Sequence, residues 1–504
     1  MFLALISALL LILSFPKFSV WPLAWVALVP ILFCMRRMNR SRHAFFYAFI
    51  FGFLFFFVTC EWLRHVSYFG WLVVATVCAF YFGVFGMAAH WFLKRNLFSL
   101  SLLVIPSAWA VLEWVRAEIP VWAFGWNLLA HTQSHDLSIA ALASFVGAYG
   151  LSWLMVFANL SLFFLIDSLI TRRKSEIPAI LFASCVLAFI LGLLFNSGSH
   201  PRPSHSADSI RVAVVQGNIP QSIKWDPNNK LPSLETHEQL SRMIASAEKP
   251  DLVIWPEAAF AGYLNVDPLR ERVLDLEREL DVPILLGSPF LDLSRTERET
   301  AYNSAYLVDE RLSFGVRYDK VRLVPFGEYV PLRFLFGPLG LERLAYSLGV
   351  SDFVAGSEIK VFSLGEASQF SALICFEDTF PFLARTAVEK GAQFLAVITN
   401  DAWFGKSAAA YQHLDASIFR AIENGVPIVR AANTGVSAFI DHRGRVIDRV
   451  KDKQGNDTFI AGALIRSVTL EHEKTFYQKG GYRFPIYCLM VMVAGFMLTF
   501  KKKR

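Results

Sequence analysis

Eight long apolar runs constrain the fold of this chain more than any other feature. They cover residues 1–15, 20–35, 44–62, 70–93, 98–115, 138–169, 177–196 and 484–500. Most approach the roughly 20 residues that cross a bilayer as a helix. With 504 residues, 55% of them hydrophobic, the chain is too long and too apolar for one soluble domain. We therefore predict a membrane bundle of about eight transmembrane helices, seven of them within residues 1–196.

The first two runs leave an alternative open. Both are short and are interrupted by Pro16 and Pro22, so they could form either two full spans, which we favour, or one re-entrant hairpin. The first run also lacks the basic start and the small-residue cleavage site of a secretory signal. We expect it to be retained as a membrane segment.

Basic residues in the short loops predict the orientation. With alternating spans, thirteen cations fall on one side: Arg36, Arg37, Arg40, Arg42, Lys94, Arg95, Arg172, Arg173, Lys174 and the tail Lys501 to Arg504. The positive-inside rule then places both termini in the cytoplasm and residues 197–483 on the far side, which is the periplasm of a bacterial inner membrane. Without these thirteen, 35 of the 48 basic residues remain against 42 acidic ones. The net charge of +6 therefore does not indicate a nucleic-acid partner.

The long segment before the last run has the pattern of an α/β domain. Residues 197–209 are predicted as a linker, because residues 201–209 are rich in Pro, Ser and His. Short aliphatic runs then predict strands at 210–215, 252–255, 282–286, 301–308, 370–375, 394–399, 427–431 and 437–440. Apolar residues at helical spacing predict helices at 233–248, 268–280, 380–390 and 408–424. We expect the soluble domain to cover 210–483, with the last span and a basic tail at 484–504.

Three polar residues follow predicted strands of this domain. Glu257 comes after Asp251 to Pro256, Lys320 follows Tyr318-Asp319, and Cys375 follows Ala372 to Ile374. Cys375 is also the only one of six cysteines outside the apolar runs. Ends of neighbouring strands converge in α/β sheets, so a base, a cation and a thiol could share one crevice. Taken singly, each has a simpler interpretation: a packed cysteine, a capping carboxylate and a solvated lysine.

The sequence around these residues resembles a known superfamily. Trp255-Pro256-Glu257, Lys320 within the run Tyr318 to Glu328, and Cys375-Phe376-Glu377-Asp378 are similar to the Glu, Lys and Cys motifs of the nitrilase superfamily of carbon-nitrogen hydrolases. The resemblance narrows to the bacterial apolipoprotein N-acyltransferase family. It rests on Val324 to Leu332, Thr399 to Phe404, Gln412 to Ala421, Arg430 to Gly435, and the arrangement of seven spans before the domain and one after it.

The resemblance implies a fold and a reaction. The fold would be a membrane bundle with an extracytoplasmic α-β-β-α sandwich. The enzyme would move an acyl chain from a membrane phospholipid, through a thioester on Cys375, to the N-terminal α-amine of a diacylated apolipoprotein, in a ping-pong sequence. Glu257 would be the general base and Lys320 the electrostatic stabiliser. The resemblance implies no metal and no cofactor.

It also implies supporting residues. Glu328 and Glu377 would orient the lysine and shape the site, and Trp225 and Trp403 would contact lipid, unless they are aromatic core plugs. The chain departs from the family at Phe376, where many relatives carry tyrosine. Residues Ala123 to Asn127 match the family only loosely. Either an apolar lid that excludes water or an ordinary packed loop fits residues 334–346.

Two rival functions remain at this stage. A membrane-tethered amidase acting on small amides would use the same three residues, so they cannot separate it from a transferase. A transporter with a soluble sensor domain is disfavoured, because the spans show no inverted repeat and few buried ionisable residues are expected in them beyond Glu61, Glu113 and Arg116.

Overall fold

The computed structural model describes residues 1–95, 97–119, 123–172, 208–294, 300–309, 313–330, 351–365, 368–470 and 474–501. The chain divides into two compact units. The first contains residues 1–202, 407–415 and 475–504, and the second contains 203–406 and 416–474. The predicted span at 177–196 and the segment 334–346 lie outside the described residues, as does nearly all of the predicted linker at 197–209.

The helices of the described residues are numbered in chain order. They are α1 Phe2–Ser14, α2 Val29–Arg37, α3 Ser41–Thr59, α4 Tyr68–Lys94, α5 Phe98–Glu118, α6 Leu137–Ala140, α7 Ala143–Thr171, α8 Gln221–Lys224, α9 Pro227–Ala247, α10 Arg270–Leu280, α11 Pro381–Glu389, α12 Ala409–Asn424, α13 Phe476–Lys479 and α14 Phe484–Lys501.

The first unit contains helices long and apolar enough to cross a membrane. Five described segments meet this description: α3, α4, α5, α7 and residues Gly481–Thr499. The shorter α1 is also apolar. The run at 20–35 differs from the expected continuous helix, because it forms a 3-10 turn at Trp21–Trp25 followed by the nine-residue α2. Pro22 and Pro30 each lie at the start of one of these pieces, where proline is favoured.

The buried charges of α5 fold the loop that follows it. Arg116 Nη1 donates to the carbonyl oxygens of Phe124 (2.8 Å) and Trp126 (2.7 Å). Glu113 Oε1 accepts a hydrogen bond from the backbone N–H of Leu129 at 2.8 Å. Backbone groups buried among apolar helices need such partners. These contacts give Glu113 and Arg116 a structural role, which removes them as support for a transport pathway.

Gln412 connects residues 407–415 by hydrogen bonds to the first unit, although these residues are distant in sequence from the membrane helices. Its side-chain oxygen accepts from the indole N–H groups of Trp62 and Trp126, both at 3.0 Å. Its amide nitrogen donates to the carbonyl oxygens of Pro16 (3.1 Å) and Thr59 (2.9 Å). All four hydrogen-bonding positions of the amide are therefore used. This network explains why residues 407–415 group with the helical unit.

The second unit contains two six-stranded sheets. Its strands are β1 Ser209–Gln216, β2 Leu252–Ile254, β3 Ile284–Asp292, β4 Thr300–Asp309, β5 Ser313–Asp319, β6 Val361–Leu364, β7 Ser368–Ile374, β8 Phe394–Thr399, β9 Ile428–Ala432, β10 Ala438–Ile440, β11 Val446–Arg449 and β12 Gly462–Thr469. One sheet has the order β12-β1-β2-β3-β4-β5, and the other has the order β11-β10-β9-β8-β7-β6.

Each sheet has three parallel strands and antiparallel flanks. Strands β1, β2 and β3 are parallel in the first sheet, and β7, β8 and β9 are parallel in the second. The sheets face each other through β1 with β9 and β4 with β7. Helices α9 and α10 pack on the first sheet, and α11 packs on the second. The result is the α-β-β-α layering that the family resemblance implied.

Apolar patterning accounts for this layering. In α10, Val273 and Leu276 are spaced one turn apart and are both buried in the core of the first sheet. All six residues of β8 are buried, as expected for a parallel strand covered on both faces. The parallel strands therefore end inside the domain, where their last residues can form a site.

Candidate active site

Cys375 lies at a sharp turn directly after β7. It begins a 3-10 turn, Cys375–Thr379, and its φ of +52° lies in the left-handed region that non-glycine residues rarely adopt. Such strain costs about 1–3 kcal/mol and persists only where the surroundings enforce it. The side chain is buried, with 7% of its surface exposed. The turn thus presents a thiol at the end of the sheet at some cost to stability.

Glu257 follows β2 and is held by three donors. Its Oε1 accepts from Asn303 Nδ2 at 2.8 Å and from Lys320 Nζ at 3.4 Å, and its Oε2 accepts from the Asn400 backbone N–H at 2.9 Å. Gly287 of β3 lets this segment approach closely, because a Cβ there would lie 2.6 Å from Glu257 Cα. The carboxylate is therefore fixed in orientation.

Lys320 follows β5 and is completely enclosed. Its Nζ lies 2.9 Å from Glu328 Oε1, and Asn303 Nδ2 donates to the same oxygen at 2.6 Å. Glu328 Oε2 accepts from the backbone N–H of Val324 at 2.8 Å. Gly356 donates its N–H to the Lys320 carbonyl at 2.8 Å. Two carboxylates thus compensate the buried ammonium.

Glu377 joins the cysteine turn to the lysine loop. Its Oε2 accepts from the Ile374 backbone N–H at 2.8 Å, just before Cys375. Its Oε1 accepts from the Tyr318 hydroxyl (2.7 Å) and from the N–H groups of Val321 (2.7 Å) and Arg322 (3.1 Å). Burial raises the pKa of Glu377, and these donors oppose that rise. The side chain acts as a brace between two site segments.

Burial and the neighbouring charges both act on the pKa of the Cys375 thiol. Burial, followed by the negative charge of Glu257, raises its pKa well above the ordinary value. Lys320 and the Thr399 hydroxyl lower the pKa, while Asp401 raises it. Attack by the sulfur therefore requires a base that takes the thiol proton. Burial also disfavours the Lys320 cation, but the negative charges of Glu328 and Glu257 outweigh that effect, so the pKa of Lys320 is raised and it stays charged.

The two tryptophans predicted to contact lipid lie at the surface of the second unit. Trp225 is 47% exposed and Trp403 is 44% exposed, which disfavours the alternative that they are core plugs. Phe376 is buried and packs edge-on against Phe380, with ring centroids 4.9 Å apart. The ring of the expected tyrosine is thus retained without its hydroxyl.

Sequence reasoning missed several polar residues of this site. Asn303 lies in β4 and donates hydrogen bonds to both Glu257 and Glu328. The available sequence signal was a polar residue within the predicted strand 301–308. Thr399, Asp401 and Arg430 stood inside recognised motifs without an assigned role. They form hydrogen bonds and ion pairs beside the cysteine.

The arrangement supports covalent chemistry at a carbonyl. A fixed carboxylate can take the thiol proton, the thiolate can attack, and a buried ammonium can stabilise the developing oxyanion. Glu257, Lys320 and Cys375 are buried, and each interacts with at least one neighbouring side chain. The same set serves either hydrolysis or transfer, so the acceptor cannot be derived from these residues alone.

Comparisons with known families cover both units. Residues 7–161 match the family described as apolipoprotein N-acyltransferase N-terminal domain. Residues 211–470 match the carbon-nitrogen hydrolase family. The first range covers most of the described membrane helices, and the second covers both sheets from Arg211 of β1 to the end of β12.

Individual relatives match along nearly the whole chain. An apolipoprotein N-acyltransferase from Geobacter metallireducens is 35% identical, covering 99% of this chain and 95% of the relative. One from Haemophilus influenzae is 30% identical, covering 97% and 92%. Among solved structures, a mutant of the Nesterenkonia AN1 amidase, which belongs to the nitrilase superfamily, is 22% identical to this chain. The match covers 54% of this chain and 94% of that one, with a TM-score of 0.38.

Proposed function

Because the chain belongs to the apolipoprotein N-acyltransferase family of the carbon-nitrogen hydrolase superfamily, we propose that Glu257, Lys320 and Cys375 carry out its acyl transfer through a cysteine thioester. The chain is a multi-pass membrane protein with the acyltransferase function of lipoprotein maturation. Cysteine-based catalysis follows from the superfamily. The assignment of individual roles rests on the geometry of the site.

One observation supports these roles most strongly. Glu257, Asn303, Glu328 and Lys320 form a continuous hydrogen-bonded chain with contacts of 2.6–3.4 Å, and the charges of Glu257 and Lys320 both act on Cys375. A structural role for the buried lysine would need one carboxylate partner. Lys320 has two carboxylate partners and lies near a thiol on a strained backbone, and this arrangement fits a reaction centre better.

The first half-reaction transfers the acyl group to sulfur. Glu257 takes the Cys375 proton, and the thiolate attacks an ester carbonyl of a membrane phospholipid. Lys320 stabilises the tetrahedral oxyanion. When the carbon-oxygen ester bond breaks, protonated Glu257 returns the proton to the departing alkoxide. A lysophospholipid leaves, and the acyl chain remains as a thioester on Cys375.

The second half-reaction transfers the acyl group to nitrogen. The neutral α-amine of the diacylated apolipoprotein attacks the thioester, and Glu257 accepts a proton from the attacking nitrogen. The carbon-sulfur bond breaks as the amide forms, and Glu257 gives that proton to the departing sulfur. The proton lost earlier by the free α-ammonium goes to solvent. Cys375 is regenerated without a cofactor.

We also propose the membrane topology. The basic loops support both termini in the cytoplasm and a periplasmic domain between the crossings at 177–196 and 484–500, with domain limits at 196 and 483. Residues 1–35 return to the same side whether they make two crossings or one hairpin, so the orientation does not depend on that choice. Protection of a cysteine introduced at Lys501 from a membrane-impermeant thiol reagent in intact cells is expected. Labelling there would contradict the orientation.

Trp225 and Trp403 are proposed to contact the lipid substrates. Trp225 follows Lys224, whose Nζ lies 3.4 Å from the Glu257 carbonyl oxygen, and Trp403 lies two residues after Asp401. An exposed aromatic ring at each position offers apolar surface to an acyl chain. Replacing both by alanine is expected to raise the KM for phospholipid about tenfold with a smaller change in kcat. Alanine at the exposed Met243 of α9 is the matched control. An unchanged KM would exclude this role.

The order of product release tests the thioester mechanism. Purified protein in detergent, given phospholipid without an acceptor, is expected to release about one lysophospholipid per active site and then stop. A diacylated lipopeptide added afterwards should be acylated without further phospholipid. Continued release of fatty acid, or turnover of small amides alone, would instead support the amidase alternative.

A further inference from the structure

Thr399 is placed beside the reactive sulfur by strand register. Strands β7 and β8 are parallel, with Ile374 paired to Ile398, so Cys375, which follows β7, lies beside Thr399, the last residue of β8. Thr399 is completely buried. Its hydroxyl lies within hydrogen-bonding reach of the Cys375 thiol and lowers the pKa of that thiol. A hydroxyl in this position contacts the atom that reacts.

The hydroxyl has a second acceptor. Thr399 Oγ1 donates to Asp401 Oδ1 at 3.0 Å. A threonine hydroxyl carries one proton, so it can donate either to Asp401 or to a thiolate, but not to both. With the proton directed at Asp401, the oxygen lone pairs remain for the neutral S–H group. The resting thiol and the resting carboxylate are therefore both compatible with this bond.

Arg430 can compensate Asp401 when that bond is lost. Its guanidinium lies 3.3 Å from Asp401 Oδ2 and 2.9 Å from Asp378 Oδ2. It extends from β9, where Arg430 is paired with Val397 of β8. Ser417 also donates to Asp378, at 2.5 Å. These side chains are all buried, so the ion pairs are shielded from solvent and hold both carboxylates in place.

We propose that Thr399 is a thiolate-stabilising residue of this acyltransferase, whose hydroxyl turns from Asp401 to the Cys375 sulfur as the thiolate forms, while Arg430 holds Asp401. This inference rests on the proposed role of Cys375 as the acyl carrier. In the step itself, Glu257 takes the thiol proton and the Thr399 proton changes acceptor without leaving its oxygen. No other bond forms or breaks before the sulfur attacks the carbonyl carbon.

Charged and polar side chains of the site act on the sulfur in opposite directions. Glu257 and Asp401 disfavour the thiolate, while Lys320 and the Thr399 hydroxyl favour it. Lys320 also forms ion pairs with Glu328 and Glu257. A donor that becomes available only when the thiolate forms stabilises that state without stabilising the thiol, which is the condition for lowering a barrier.

Alkylation of Cys375 by iodoacetamide tests the proposal without requiring acyl transfer. The protein would carry alanine in place of Cys34, Cys60, Cys78, Cys185 and Cys488. Below the thiol pKa, the rate is proportional to the thiolate fraction. Thr399→Val is expected to slow alkylation at pH 8 about tenfold or more, because a hydrogen bond to a charged group is lost. Thr399→Ser keeps the hydroxyl and should remain within about twofold of the parent.

Asp401→Asn should shift the rate in the other direction. The neutral amide is a weaker acceptor and removes a charge that raises the Cys375 pKa, so alkylation should become faster. Equal alkylation rates for folded Thr399→Val and parent protein would overturn the inference, whatever their transfer activity. Absence of an acyl adduct on parent Cys375, with the alkylation difference intact, would instead overturn the proposed function.

Discussion

A Cys375→Ala variant is expected to have no measurable acyl transfer and to release no lysophospholipid. The proposed reaction passes through a bond to this sulfur, so the remaining residues cannot substitute for it by binding or polarising the substrate. The protein should still fold, because the alanine removes only one buried side-chain atom directly after β7. Activity is measured with phospholipid and a diacylated lipopeptide in detergent.

Two further variants make this result specific. Cys375→Ser keeps the size of the side chain and replaces the thiol by a weaker nucleophile, so it should also be inactive or nearly so. Cys488→Ala removes a buried cysteine from α14 and should retain activity. If Cys375→Ala transferred acyl chains at the wild-type rate, the covalent mechanism would be wrong.

Replacing Glu257 by glutamine is expected to separate catalysis from thiol reactivity. Loss of the general base should lower acyl transfer by about 10²–10⁴-fold. The same change removes the negative charge of Glu257, which raises the Cys375 pKa. The thiol pKa therefore falls, the thiolate fraction at pH 8 rises, and iodoacetamide should alkylate Cys375 faster than in the wild type.

These opposite signs distinguish the proposal from simple damage to the site. A misfolded or collapsed site would slow both transfer and alkylation, or expose the thiol while losing the folded state. Glu271→Gln changes an exposed carboxylate of α10 and is the matched control for the substitution. Slower alkylation of folded Glu257→Gln, together with lost transfer, would contradict the assigned charge of Glu257 at rest.

Local patterns predicted the parts of the second unit that depend on burial. The apolar spacing of α10 and the apolar run of β8 are visible in the sequence, because α10 buries one face and β8 is buried along its whole length. Glu257 and Cys375 were placed by the same logic, since each directly follows such a run. In the structure, Lys320 Nζ lies 3.4 Å from Glu257 Oε1, and the charges of both act on the pKa of Cys375.

Edge strands and long-range polar contacts were not predictable in this way. Strands β11 and β12 are only partly buried, so their sequences lack a sustained apolar pattern. The pairing of Arg430 with Asp378 and Asp401 joins residues that are 52 and 29 positions apart. Sequence spacing carries no signal for such contacts. Gln412 is a further case, because its partners Trp62 and Trp126 are 350 and 286 positions away in the sequence.

The most direct test of the account is the intact mass of the protein after exposure to phospholipid without an acceptor. We predict a mass increase of one acyl chain, located on Cys375 by peptide mapping, labile to hydroxylamine and removed by a diacylated lipopeptide. The Cys375→Ala protein should show no increase. An unmodified Cys375 under conditions where the enzyme transfers acyl chains, or an adduct on another residue, would contradict the proposed thioester.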